Sequence, residues 1–373
     1  MKIFFLTELL SPYRIEWMNM LSEENSVTAY YLSSAEQTRD DRWLADKKPH
    51  FETKPVKRSA LSGRLASREF LSKVNSGGFD IYIIDGYSSP IKLKVIKALL
   101  RQNRKVFINI DGIDVWRKRR ALDFIRDSVK KRTFRSGAYF LCGSEIAADA
   151  AIKYGAEKEK VFVHPFTSLH RSDIIRYTQK AGLQRESKLR LGRETQKVVL
   201  AVGRFIPLKR YDVLIKAWKN MPADCFLYIL GGGSERKSYE DLMARLGINN
   251  AELLDFMLPK QLEEYFCAAD LFVHTSETET WGLVFNEAMA KACPVIGTNR
   301  CVGAVELIEN GVEGYVTEVG DEKALHAAMT KILSDGELRQ RMMKNASEKI
   351  RNFTYENLTA RHLEIFSKAL GQK

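Results

Sequence analysis

The stretch Lys197-Val198-Val199-Leu200-Ala201-Val202 decides the fold class of this chain. It is a run of mostly apolar residues, which is typical of a strand buried on both faces of a parallel sheet. Runs of this kind alternate with helical patterns on both sides of it, beginning at Lys2–Thr7. A repeated strand–helix order favours parallel sheets that are covered by helices on both faces. The sequence therefore predicts an α/β protein built from doubly wound, Rossmann-like sheets.

A charged segment interrupts this alternation and divides the chain. Its 373 residues are long for one domain and sufficient for two. The apolar periodicity fades at residues 171–195, which we interpret as a linker between an N-terminal domain, residues 1–170, and a C-terminal domain, residues 196–354. We expect a last helix, about residues 355–373, to pack back on the N-terminal domain. Two such domains facing each other would form a ligand cleft at the carboxyl ends of their strands.

The composition excludes several classes of protein. Apolar residues make up 45% and charged residues 28% of the chain, as in ordinary globular proteins. No run of about 18 apolar residues could form a transmembrane helix. The five cysteines and six histidines are scattered without metal-ligand spacing, so we predict reduced thiols, no metal and no cofactor. The first residues lack a signal-peptide cleavage site, which predicts a cytoplasmic protein.

The net charge of +12 lies mostly in the N-terminal half. Residues 1–170 contain 30 Lys/Arg and 20 Asp/Glu, and the basic residues are concentrated at 116–120 and 130–135. Such a surplus is typical of proteins that meet anionic lipid, nucleic acid or phosphate-bearing substrates, and equally of a well-solvated basic helix. We favour docking on an anionic membrane surface. Nucleic acid is disfavoured because aromatic residues do not alternate with the basic ones, as a stacking platform requires.

A turn rich in cations follows the first strand of the C-terminal domain. Gly203 ends the strand, Arg204 and Lys209 add two cations, and Pro207 favours the start of a helix. A helix N-terminus offers backbone N–H groups and a positive dipole to an anion, so the turn suits a diphosphate. The same residues could form an ordinary solvated turn. The glycine triplet 231–233, after the next strand, has neither the dinucleotide nor the P-loop order and is a weak signal alone.

A polar loop further along the chain carries two carboxylates, Glu279 and Glu287. Glu279 lies in the loop, and Glu287 falls in a helix that we expect to begin near Gly282. Ionised carboxylates bind sugar and ribose hydroxyls well, because each accepts from two O–H donors at once. The alternative is an exposed helix with two acids in its first turns. We favour binding because Leu283 and Met289 give this helix an apolar face, with Glu287 beside it.

Together these motifs resemble the retaining glycosyltransferases of family 4, which have the two-domain GT-B fold. The family's acid-x7-acid signature matches Glu279 and Glu287, and its Gly-Arg…Lys turn matches the cationic turn. The resemblance covers roughly residues 196–335 and is weaker in the N-terminal half. It implies transfer of a hexosyl group from a nucleotide diphosphate sugar, in particular a UDP-sugar. The implied acceptor is a glycan or a lipid-linked glycan of a bacterial surface polysaccharide, and no metal ion is implied.

The resemblance also implies a role for each matching residue. Arg204 and Lys209 would hold the donor diphosphate and stabilise the charge of the leaving group. Glu287 would accept hydrogen bonds from the ribose hydroxyls of the nucleotide, and Glu279 from the hydroxyls of the transferred sugar. Five further residues would line the donor site: Gly203, Thr280, Trp281, Gly282 and Leu283.

Two positions depart from the pattern of the family. Asp111 stands where many members have a histidine near the donor sugar, and it could equally cap a helix expected at Val115. Arg14 lies in a first loop without the usual glycine pair, and it could contact an acceptor phosphate or be an exposed residue of the first helix. Alternative functions are a sugar-nucleotide epimerase or a phosphorylase on the same fold, and a basic nucleic-acid-binding protein. The sequence names neither the sugar and nucleotide nor the acceptor and its linkage.

Overall fold

The chain forms two compact units. Unit 1 comprises Met1–Thr167 and Tyr355–Lys373, and unit 2 comprises Ser168–Thr354. Each unit contains a parallel sheet with helices, so the predicted α/β class is confirmed. The computed structural model describes residues 1–33, 47–57, 70–74, 76–87, 89–113, 116 and 123–371.

The sheet of unit 1 is parallel throughout, in the order β3-β2-β1-β4-β5-β6-β7. Strand β1 lies inside the sheet, with Ile3 opposite Val27 on one side and opposite Ile81 on the other. Residues 3–6 are fully buried, which explains why all four are apolar rather than only alternate ones. The strands are β1 (Lys2–Thr7), β2 (Ser26–Ser33), β3 (Glu52–Lys57), β4 (Ile81–Asp85), β5 (Val106–Ile110), β6 (Tyr139–Cys142) and β7 (Val161–Val163).

Helices follow the strands of unit 1. Those before residue 168 include α1 (Pro12–Ser22), α2 (Pro90–Leu100), α3 (Asp123–Phe134) and α4 (Glu145–Lys153). Proline starts α1 and α2, where its missing N–H leaves no helical hydrogen bond unmade. The helix expected at Val115 and the basic residues 117–120 lie outside the described residues.

The sheet of unit 2 is also parallel, in the order β10-β9-β8-β11-β12-β13. Its strand β8 is the stretch Lys197–Val202, and residues 198–201 are fully buried between the helices of the two faces. The strands are β8 (Lys197–Val202), β9 (Cys225–Leu230), β10 (Ala251–Leu254), β11 (Leu271–Val273), β12 (Val295–Thr298) and β13 (Gly314–Thr317).

Helices also follow the strands of unit 2. They include α5 (Tyr177–Arg190), α6 (Tyr211–Trp218), α7 (Arg236–Leu246), α8 (Pro259–Ala268), α9 (Val284–Ala290), α10 (Val302–Leu307), α11 (Glu322–Ser334) and α12 (Gly336–Lys349). The linker predicted at residues 171–195 is therefore wrong, because α5 occupies most of it. Lys180 of α5 is buried and donates to the carbonyls of Cys267 and Ala269 at 3.0 and 2.9 Å. Polar anchors of this kind hold α5 against α8, so apolar periodicity does not reveal the helix.

The C-terminal helix α13 (Tyr355–Leu370) belongs to unit 1, in agreement with the expected return of the last helix. Its residues Leu358, Ile365 and Phe366 are buried in the core that Ile3 and Trp17 also share. Across the described ranges, none of the helices combines the length and the hydropathy that a membrane span requires.

Candidate functional site

The cationic turn after β8 differs from the predicted helix start. Pro207–Lys209 form a single 3-10 turn, and the left-handed backbone of Arg210 (φ 49°) separates it from α6. The N–H of Arg210 donates to the carbonyl of Pro207 at 3.2 Å and is not available to an anion. The predicted helix N-terminus at Pro207 is thus wrong, and the turn offers side chains instead. Arg204 is exposed, and the side chain of Lys209 is largely buried.

The glycine triplet packs against this turn. A Cβ on Gly231 would lie 1.9 Å from the carbonyl oxygen of Gly203, and one on Gly233 would lie 2.4 Å from that of Phe205. The N–H of Phe205 donates to the carbonyl of the middle glycine at 2.7 Å. The triplet therefore lets the end of β9 approach the backbone of the turn and fix it around Arg204.

Glu279 reaches the cationic turn from its own loop. Its carboxylate forms an ion pair with the ammonium of Lys209 and lies 3.8 Å from Nε2 of the buried His274. Burial opposes ionisation of Glu279, but the nearby His274 ring and the charge of Lys209 outweigh it and lower the pKa to about 2. Glu279 is thus a carboxylate at neutral pH and can accept hydrogen bonds from hydroxyls.

Backbone hydrogen bonds fix the Glu279 loop. The N–H of Glu279 donates to the carbonyl of Arg300, and its carbonyl accepts from the N–H of Val302, both at 3.0 Å. Trp281 is 2% exposed, and its indole N–H donates to Asn286 at 2.8 Å. The side chain of Trp281 therefore belongs to the core, and only its backbone can line a donor site.

The helix after this loop begins at Val284 rather than near Gly282, which has a left-handed φ of 93°. Within the described part of the chain, no protein acceptor receives the N–H groups of Thr280, Gly282 and Leu283. Successive amides that lack a partner form an anion-binding concavity in many phosphate sites. The loop, rather than a long helix, thus supplies the backbone donors.

Glu287 lies on α9 and is partly buried. The hydroxyl of Ser168 donates to its Oε1 at 3.3 Å, and no cation of the described residues forms an ion pair with it. Burial raises the pKa of Glu287 to about 7, against the smaller effect of the Ser168 hydrogen bond. The two glutamates of one motif therefore have opposite electrostatic environments.

In unit 1 the structure brings Arg14 and Asp111 together. Nη1 of Arg14 lies 2.6 Å from Oδ1 of Asp85, and Nη2 binds the carboxylate of Asp111. Arg14 is only 8% exposed, so the alternative of an exposed residue on the first helix is wrong. Its charge is shared by two carboxylates at the carboxyl ends of β4 and β5. A role as an acceptor-phosphate contact stays a prediction.

The carboxylate of Asp111 accepts hydrogen bonds from three side chains of unit 1, and the helix that it could cap lies outside the described residues. Asn109 Nδ2 donates to it at 2.9 Å and Tyr13 OH at 3.4 Å, in addition to Arg14. Burial raises the pKa of Asp111, and the charge of Arg14 opposes this. Sequence reasoning missed Asp85 as the second partner of Arg14. Its position at the carboxyl end of a buried strand was the available signal.

Solved structures share this two-unit architecture. The structure of Anabaena HepE in complex with UDP and glucose matches with a TM-score of 0.74 at 19% identity, covering 98% of this chain and 99% of that chain. A likeness at this identity establishes the fold, which is the α/β GT-B fold. Residues 184–349 match the sequence model of the family described as glycosyl transferases group 1. Over these residues, somewhat less than half of the chain, the sequence is similar to that family.

Two curated relatives differ in what their names say they make. The lipopolysaccharide core biosynthesis glycosyltransferase LpsE of Rhizobium meliloti is 30% identical over 175 residues, 46% of this chain and 49% of the relative. The N-acetyl-alpha-D-glucosaminyl L-malate synthase of Bacillus anthracis is 31% identical over 182 residues, 48% and 47% respectively. The chain thus spans about half the length of these relatives.

Proposed function

We propose that the chain is a retaining glycosyltransferase of family 4 that transfers a hexosyl group from a UDP-sugar. The proposed acceptor is a glycan or a lipid-linked glycan in the synthesis of lipopolysaccharide or another surface polysaccharide. The observation that carries the proposal is the pairing of Lys209 with Glu279 beside the unpartnered amides of Gly282 and Leu283. The relative LpsE, by its name, supports the glycan class. The HepE complex supports the nucleotide, since that protein binds UDP.

The proposed chemistry needs positive charge where the leaving diphosphate gains negative charge. The exposed guanidinium of Arg204 and the ammonium of Lys209 would supply it, together with the amides of the Glu279 loop. Donors fixed before the reaction are the most effective form of such stabilisation. We propose that these cations take the place of a divalent ion, so that transfer continues in the presence of a chelator.

The carboxylates would orient the donor rather than exchange protons. Lys209 has three N–H donors, so it can keep its contact with Glu279 while it binds a phosphate oxygen. Glu279 then has acceptor positions left for the hydroxyls of the sugar. Glu287, which has no cationic partner, would accept from the ribose. Asp111 of unit 1 would take the place of the family's histidine near the transferred sugar.

The proposed donor is tested by calorimetric titration of the full chain with UDP-, GDP- and ADP-sugars. We expect a UDP-sugar to bind, and the Glu287→Ala variant to lose this binding because the ribose hydroxyls lose their acceptor. The matched control is Glu337→Ala, which removes an exposed acid from the first turn of α12. The proposed function is wrong if no nucleotide sugar binds, or if both variants bind equally well. An NMR assignment of the product anomer tests retention.

The basic surplus of unit 1 supports a location on the inner, cytoplasmic face of an anionic membrane. Lys131, Arg132 and Arg135 at the end of α3 are exposed. Each basic residue near an anionic surface contributes about 1 kcal/mol of attraction. Co-sedimentation with phosphatidylglycerol vesicles should be strong for the wild type and weaker for the double variant Lys131→Glu, Arg132→Glu. Absence of binding at low salt would remove the membrane from the proposal.

A further inference from the structure

A cleft of about 290 Å³, which includes space open to solvent at its mouth, lies in unit 1. Its walls come from α1, the end of β5, the segment after β7, and α13. The carboxyl ends of parallel strands are where doubly wound sheets bind ligands. The donor chemistry proposed above uses no residue of this cleft except Asp111.

Buried ring nitrogens on the walls of this cleft have no hydrogen-bond partner among the described residues. They are Nε1 of Trp17, both nitrogens of His164, and Nε2 of His362. The three side chains are 5%, 4% and 1% exposed. Buried polar groups in folded proteins nearly always have a partner. Their concentration at one cleft therefore points to a group that binds there.

The contacts of these rings show which of their nitrogens are hydrogen-bond donors and which are acceptors. Nδ1 of His362 lies 2.7 Å from the carbonyl oxygen of Leu358, which can only accept, so Nδ1 carries the proton and Nε2 is an acceptor. Burial lowers the pKa of His362 to about 4, and burial followed by the neighbouring His362 lowers the pKa of His164. Both rings are neutral at pH 7, and Trp17 adds an N–H donor. The wall thus offers donors and acceptors without charge.

The charge beside these rings disfavours a phosphate. The cleft is lined by one cation, Arg14, whose two Nη atoms already contact Asp85 and Asp111. The two carboxylates fully compensate the positive charge of the one guanidinium, so an anion that enters the cleft gains no electrostatic attraction. A hydroxyl, in contrast, can donate to Asp111 or to Nε2 of His362 and accept from Trp17.

We propose that this cleft binds an uncharged part of the acceptor, namely a hydroxyl or hydroxymethyl group of an unphosphorylated sugar ring. This group would lie between Asp111 and the rings of Trp17 and His362. The inference rests on the proposed glycosyltransferase function and narrows its acceptor to a neutral sugar. Tyr13 and Phe166, packed edge to face at 5.5 Å, provide an aromatic wall for the C–H face of the ring.

Two variants separate this role from packing. Trp17→Phe keeps an aromatic ring and removes the N–H donor, and His362→Phe removes the acceptor. The control is His326→Phe in unit 2, which also removes an imidazole whose Nδ1 contacts a backbone carbonyl. The full chain, with UDP present, is titrated with the methyl glycosides of glucose, galactose and N-acetylglucosamine, and with glucose 6-phosphate. Binding is followed by saturation-transfer NMR and by crystallography of the soaked protein.

We expect a methyl glycoside to bind the wild type and to bind the Trp17→Phe and His362→Phe variants about tenfold more weakly, the effect of losing a buried hydrogen bond. The His326→Phe variant and the affinity for UDP should not change. Absence of glycoside binding, equal binding to all variants, tighter binding of the phosphorylated sugar, or ordered water alone in the cleft overturns the inference. If His362→Phe does not fold, Trp17→Phe decides. Failure to bind UDP or any UDP-sugar would instead overturn the proposed function.

Discussion

The charged groups of unit 1 and unit 2 are organised in opposite ways. In unit 2, Lys209 pairs with one carboxylate, that of Glu279, and Arg204 beside it is exposed. In unit 1, the buried Arg14 is shared by Asp85 and Asp111. One turn has a cation in excess, and the other site has a carboxylate in excess.

This difference shows why a basic residue alone does not identify a phosphate site. A cation attracts an anion only to the extent that neighbouring carboxylates leave its charge uncompensated. The turn of unit 2 meets this condition and suits a diphosphate. The Arg14 cluster does not, although both arginines follow a strand of a doubly wound sheet and look alike in the sequence.

Removal of Arg14 should have the largest effect on stability. Arg14→Met removes a buried cation from the partly buried Asp85 and Asp111, and breaking a buried ion pair destabilises by about 3–5 kcal/mol. The equivalent change in unit 2, Arg204→Met, removes an exposed side chain and should alter stability by less than about 0.5 kcal/mol. Urea unfolding of both variants measures the contrast. Equal midpoints would show that the two arginines are in similar environments.

Removal of Lys209 should have the largest effect on catalysis. Lys209→Ala takes one fixed charge from the leaving diphosphate, and the loss of such a donor lowers kcat by about 10²–10³-fold. The control is Lys216→Ala, an exposed lysine on the outer side of α6 that pairs with Glu322 at 3.1 Å. Release of UDP from the donor in the presence of acceptor gives the rates. A Lys209→Ala variant with wild-type kcat would show that the cationic turn takes no part in the reaction.

The sequence was sufficient for most of the fold, because strands buried on both faces leave continuous apolar runs such as Lys197–Val202. It was insufficient where polar contacts replace apolar periodicity. Helix α5 carries a buried lysine whose partners are backbone carbonyls more than 80 residues away, at Cys267 and Ala269. No local pattern shows such partners, so the sequence alone predicts a linker for this segment.

The candidate site, like the fold, was only partly predictable from the sequence. The family resemblance assigned Lys209 and Glu279 to one donor site, and the structure pairs their side chains. Spacing could not show that the side chain of Trp281 is buried, because sequence position does not determine side-chain directions in an irregular loop. It could not show that Asp85 and Asp111 share Arg14 either, because the pairing depends on the order of β1, β4 and β5 in the sheet.

The two glutamates of unit 2 make a smaller contrast that pH can test. Glu287 has a pKa of about 7 without ligand, whereas Glu279 has one of about 2. Hydroxyl donors favour the ionised form of Glu287, so affinity for a UDP-sugar should rise up to about tenfold between about pH 6 and pH 8. Glu279 is ionised throughout and adds nothing. Calorimetry across this range should show proton release in the wild type.

The matched variant for this test is Glu287→Gln, which cannot titrate. It should bind the donor more weakly at pH 8 and show a flat pH profile. The sign is fixed by the raised pKa: the ligand-free protein holds the proton that the bound form releases, so binding tightens as pH rises. A wild-type affinity that falls over this interval, or a Glu287→Gln profile that still slopes, would remove Glu287 from the ribose contact.

The smallest predicted effect separates the side chain of Trp281 from its backbone. Trp281→Phe keeps the buried ring volume close to that of the wild type and removes the indole N–H that Asn286 accepts at 2.8 Å. Leaving Asn286 without this partner should lower the free energy of unfolding by about 1–2 kcal/mol. The affinity for the UDP-sugar should stay within a factor of two or so, because only the backbone of residue 281 would face the donor in the proposed site. A large loss of affinity in a variant with unchanged stability would place the indole in the donor site. Trp281 would then be a second residue, besides Arg14, whose side-chain orientation the motif could not predict.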